Sequence, residues 1–76
     1  MIKEHDRVIL TAGVTEKGLE TGDVGTVVHV YRDGEGFEVE FTALDGSTFA
    51  VATVEATQVR PVSRYEITHA RPLAAR

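Results

Sequence analysis

Residues 18–31 read GLETGDVGTVVHVY, with Gly18, Gly22 and Gly25 within eight positions and a β-branched run behind them. Two readings compete for such a stretch. A glycine turn leading into a hydrophobic segment serves either as a cradle for phosphate or as the bend of a small β-barrel. A P-loop needs a lysine and a hydroxyl directly after its last glycine, and then a helix. Here Gly25 opens a strand-like run, and Asp23 stands where a phosphate would be repelled. The glycines therefore read as hinges, with Gly25 just inside the strand as a point of bending or close backbone approach.

Outward from that stretch the chain alternates between short strands and turns. RVILT at residues 7–11 is the first strand, and residues 12–23 form a long glycine-hinged loop. Val24–Tyr31 is the second strand, with Val24, Thr26, Val28 and Val30 expected on one face and Val27, His29 and Tyr31 on the other. Asp33-Gly34 and Asp45-Gly46 are hairpin signals on either side of a third strand, Gly36–Thr42. In that strand Phe37, Val39 and Phe41 alternate with Glu38 and Glu40, giving one buried and one acidic, wet face. Thr48–Val54 is the fourth strand. EATQ predicts a turn of 3₁₀ helix, and Val59–Val62 is a fifth strand that Pro61 confines to an edge or an end. Five strands at this spacing, without a helical stretch, predict an all-β fold, a five-stranded SH3-like small barrel over residues 1–62. Residues 63–76 read as a C-terminal tail, flexible or docking on a partner.

The totals narrow the function. A chain of 76 residues is one domain with a thin core, burying roughly 60% of its unfolded surface. It has no cysteine, so disulfides, zinc thiolates and cysteine nucleophiles are excluded. No apolar run reaches the roughly 20 residues of a bilayer span, and the charged opening MIKEHDRVIL is unlike a signal peptide. A cytoplasmic protein without membrane contact is expected. Residues 1–62 hold five basic residues against eleven acidic ones, a balance of −6, while residues 63–76 carry +2. An acidic body argues against nucleic acid, whose binding draws on Lys and Arg at phosphates. It suits a partner with basic patches, or simply solubility.

No reactive constellation emerges. His5, His29 and His69 lack metal-ligand spacing, and no serine or threonine is fixed beside a histidine. Glu38 and Glu40 share a strand face, as catalytic carboxylates can, but alternation alone places glutamates on a wet face, where they also discourage edge pairing. We expect no catalytic, cofactor or metal site. The expected contact surface comprises Glu16, Leu19, Glu20 and Asp23 in the long loop, Glu38 and Glu40 on the acidic strand, and Phe49 as an apolar anchor. Phe49 lies out of phase with Ala50 and Ala52, so it forms either a protein contact or the seat of the tail. Gly22, Gly25, Gly34 and Gly46 serve as structural turns. The partner is an unidentified protein, with self-association as a further option.

Two resemblances bear on this. GDVGTVVHV resembles the KOW element of ribosomal and transcription proteins, which implies nucleic-acid binding. KOW domains that bind RNA carry lysines and arginines near the turn, where this chain has Glu20, Asp23 and Thr26. The succession RVIL, GLETGDVGTVVHVY, FEVEF, DGST and QVRPV resembles a family of small bacterial proteins known only as a domain of unknown function and taken to be SH3-like barrels. That resemblance implies a stand-alone adaptor, or an antitoxin- or immunity-like binding module, and brings no catalytic residues with it. The glycine–valine pattern is also similar to the SH3-like part of nitrile hydratase beta chains and their small activators, which supports the fold.

Overall fold

A computed structural model describes residues 1–73. The described chain contains five strands: β1 (Arg7–Leu10), β2 (Val24–Tyr31), β3 (Gly36–Thr42), β4 (Thr48–Glu55) and β5 (Val59–Pro61). Short 3₁₀ turns occupy Thr15–Lys17, Arg32–Gly34 and Ala56–Gln58, and no α-helix is present among the described residues. All five strands join one antiparallel sheet in the order β4-β3-β2-β1-β5. The terminal strands β4 and β5 are not paired with each other, so the sheet stays open and does not close as a hydrogen-bonded barrel.

One face of this sheet supplies the core. Val8 and Leu10 of β1, Val27 of β2, Phe37, Val39 and Phe41 of β3, Ala52 and Val54 of β4 and Val59 of β5 are all buried. The alternation read in β3 is therefore correct: the aromatic and valine positions are buried, and Glu38 and Glu40 lie on the opposite face. Pro61 sits opposite Val8 on the edge strand, where its missing N–H breaks no second ladder. The turn before β5 forms a capping box between Glu55 and Gln58.

Strand β2 departs from the expected alternation. Val27 pairs with Val39 but His29 pairs with Glu38, leaving Val28 as an extra residue in a β-bulge. Val28 and His29 consequently both lie exposed, and Val30, opposite Phe37, returns to the core side. The N-terminal turn holds the bulge. The His5 N–H donates to the Val27 carbonyl at 2.8 Å, and the Val27 N–H donates to the Asp6 carbonyl at 2.9 Å.

Gly25 is the point where β2 presses closest on β3. A Cβ there would lie 2.5 Å from Val39 Cγ1, 2.8 Å from Phe41 Cε2 and 2.9 Å from the Glu40 carbonyl oxygen. The carbonyl is backbone and cannot swing aside. Gly25→Ala is expected to cost about 2–3 kcal/mol, read as a lower urea midpoint with an unchanged slope. The β2–β3 turn is strained in another way, since Arg32 has φ 46° and Asp33 has φ 58° ahead of Gly34 at 97°. Arg32→Asn should raise stability by a few tenths to about 1 kcal/mol, because asparagine tolerates the left-handed region better than arginine. Thermal unfolding of the two proteins checks it.

Candidate functional site: an acidic clamp and an apolar groove

The long first loop is more ordered than its glycines suggest. Val14 and Leu19 bridge across the Thr15–Lys17 turn, and Gly18 closes that turn in the left-handed region at φ 72°. Leu19 then enters the core at 1% exposure. This corrects the expectation that Leu19 is a contact residue: the hairpin-like bridge turns it inward, and it anchors the loop. Residues 20–23 form a second turn. The Asp23 N–H donates to the Glu20 carbonyl at 3.0 Å, and the Glu20 N–H donates to Asp23 Oδ2 at 2.9 Å. Gly22, at φ 97°, takes the position that demands glycine in such a turn.

That turn aims Asp23 at the tail. Arg71 grips its carboxylate with both arms of the guanidinium, Nε to Oδ1 at 2.9 Å and Nη2 to Oδ2 at 2.7 Å. Nη2 also donates to the Gly18 carbonyl at 3.0 Å, and Nη1 lies 3.5 Å from Glu20 Oε2. The loop thus presents two carboxylates and one carbonyl in a fork that matches a guanidinium. Hydrogen bonding from Arg71 holds the Asp23 carboxyl below its ordinary value, against the opposing effect of partial burial.

Beside the clamp lies a mostly apolar cavity of about 180 Å³, lined by Leu19, Val24, Phe41 and Phe49 of the body and by Ala70 and Leu73 of the tail. Phe49 is half-buried, and its ring passes under the loop, 3.3 Å from where a Cβ on Gly18 would stand. It belongs to the floor on which the tail rests. The tail leaves β5 through a second fork. Arg60 donates to both oxygens of Glu66, at 3.0 and 2.9 Å, and the Ser63 N–H donates to Glu66 Oε2 at 2.7 Å. These bonds, Arg60 first, hold the Glu66 carboxyl down at about 2. The last three residues, including Arg76, lie outside the described residues.

The other expected contact residues do not converge on the clamp. Glu16 stands exposed in the first 3₁₀ turn. Glu38 and Glu40 lie on the outer face of the sheet. Glu38 Oε1 accepts from the Tyr31 hydroxyl at 3.3 Å and the Thr53 hydroxyl at 2.5 Å, and Glu40 Oε2 accepts from the Thr48 hydroxyl at 2.5 Å. The His29 ring stacks edge-on against Tyr31, 4.5 Å between centroids, with Nδ1 3.8 Å from Glu4. Among the described residues no group of three or more histidine or carboxylate side chains is placed to hold a metal ion, and no helix is long and apolar enough to cross a membrane. Sequence reasoning missed Arg71 as a site residue. Its one signal is the basic balance of the tail against an acidic loop.

A family model described as "Domain of unknown function (DUF4926)" matches residues 4–61. The chain belongs to that family. The match takes in the clamp residues Glu20 and Asp23 and stops short of Arg71. No curated protein and no solved structure matches the chain.

Asp23 and Arg71 are separable by mutation. Asp23→Ala removes the turn and the clamp together and should cost about 1–3 kcal/mol. Arg71→Ala leaves the turn in place and should cost under about 1 kcal/mol. Paired urea titrations distinguish the two. Because the folded Asp23 and Glu66 carboxyls are lowered, their stabilising effect is complete above the ordinary carboxylate range and fades as pH falls through the lowered values. For Glu66 that window runs from its ordinary 4.5 down to about 2. NMR signals of residues 63–73 should move toward those of a free tail across it, and Arg60→Ala should raise the Glu66 midpoint toward the ordinary range, with the Ser63 hydrogen bond still holding it somewhat below.

Proposed function

We propose that this protein is a non-catalytic protein-binding module whose acidic loop and acidic strand face receive a basic partner, on a sheet of SH3-like barrel type. The strand order β4-β3-β2-β1-β5, the long first loop and the 3₁₀ turn before the last strand support that fold reading. The observation that carries the function is the clamp of Glu20, Asp23 and the Gly18 carbonyl, which already holds an arginine in bidentate geometry. Glu38 and Glu40 add a second acidic surface, preoriented by neighbouring hydroxyls and so costing less side-chain freedom on binding. The acidic body opposes the KOW-like nucleic-acid reading. A cytoplasmic adaptor or an immunity-like module fits the same surface.

The test is affinity capture with the full chain and with a Glu20→Lys, Glu38→Lys, Glu40→Lys variant that keeps Asp23. A specific protein retained by the first and released by the second is the expected result. Recovery of the chain alone in mild salt would sink the proposal. A second reading, self-association, draws on Tyr65 and Ile67, exposed at 97% and 95%. Light scattering decides it, since a monomer mass at high concentration excludes it.

A further inference from the structure

We propose that the groove beside the clamp is a receptor for an extended segment of another protein carrying arginine with an apolar side chain two residues later. Residues 68–73, THARPL, occupy it as a built-in competitor. This rests on the reading of the protein as a protein-binding module and names the ligand of one of its surfaces. Three observations converge on it.

The first is charge and geometry. Asp23 and the Gly18 carbonyl accept hydrogen bonds from Nε and Nη2 of one guanidinium and Glu20 faces Nη1 at 3.5 Å, a match that a lysine's single ammonium cannot reproduce. The second is the floor. Leu19, Val24, Phe41 and Phe49 continue from the clamp as an apolar groove, and Leu73, two residues beyond Arg71, lines its wall. The third is imperfect fit. With the tail in place about 180 Å³ stays open, Ala70 offers only a methyl group to it, and Leu73 remains 37% exposed. A segment with a larger side chain before its arginine fills more of that space, so the tail is a ligand that a better one displaces. The tail also lies beyond the stretch that the family model matches, whereas the clamp lies within it.

The test uses the full chain carrying Arg71→Ala, whose own tail has lost the clamp, and the synthetic peptide THARPL as probe. NMR titration should show the peptide shifting the amides of Gly18, Glu20 and Asp23. The wild-type chain, whose groove is filled by its tethered tail, should bind the peptide at least about threefold more weakly. Peptides with Arg71→Ala or Arg71→Lys should bind weakly or not at all. A peptide with Ala70→Leu should bind about threefold or more tightly than THARPL. The proposal is overturned if the folded Arg71→Ala chain ignores THARPL, or binds it no better than the arginine-free peptide. It is also overturned if light scattering shows that the tail fills the clamp of a second copy in a dimer. If the peptide fails while the Arg71→Ala chain still captures the wild type's protein partner, this inference falls and the module stands. If both fail, both readings fall.

Discussion

A single sheet with no second layer over it has to cover its own apolar face. Val8, Val27 and Val39, in three adjacent strands, are each at 0% exposure, and among the described residues they are shielded by the strands of the same sheet, the loop that carries Leu19 and Ile2 of the N-terminal segment. The sheet must therefore curve tightly, and curvature requires places where one strand's backbone approaches another's side chains. Gly25 provides the tightest of these, under Val39 and Phe41. The bulge at Val28 changes the facing of β2 midway so that Val30 still reaches the core, and a second register shift lies between β3 and β4 at Phe41/Thr42. The long loop closes the open side by sending Leu19 inward. The clamp exists because of that closure, since the loop that buries Leu19 goes on to present Glu20 and Asp23.

The two guanidinium forks divide the work of seating the tail. The fork between Arg60 and Glu66 lies close to the strand end and fixes the direction in which the chain leaves β5. The fork between Arg71 and Asp23 holds the far end. Tyr65 and Ile67, on either side of Glu66, stay almost wholly in water. The tail is thus pinned at two polar points, and its apolar contact is confined to the far end, where Ala70 and Leu73 line the groove. Attachment of this kind depends on charge and geometry and is sensitive to pH and to competing guanidinium groups.

Most of the fold was legible in the sequence because its signals are local. Alternation in GFEVEFT, the Asp-Gly turns and the Pro61 edge each depend on a few neighbouring residues, and strand limits differ from expectation by a single residue at β1, β4 and β5. What escaped depends on distant partners. The Val28 bulge is set by hydrogen bonds from His5 and to Asp6, some twenty residues away, which periodicity within β2 cannot express. Leu19 looked exposed because it stands among Glu, Gly and Thr, yet the Val14 bridge turns it inward. Arg71 meets Asp23 across 48 residues of sequence, and only the opposite charge balance of tail and loop hints at the pair. Phe49 was legible in part: its phase in β4 pointed away from the alanines, and of its two expected roles the geometry favours the seat of the tail.

The pairing of β1 with β5 also orders events in time. Ile9 lies opposite Arg60 and Leu10 opposite Val59, so the first strand of the body finds one of its two neighbours only when the last has been made. Hairpins β2–β3 and β3–β4 join residues close in sequence and form early. The β1–β5 ladder joins the two ends of the body and must wait for them. Until then one edge of β1, with Val8 and Leu10 beside it, has no strand to cover it. Without β5 the body is a β-meander of four strands with that apolar edge left open.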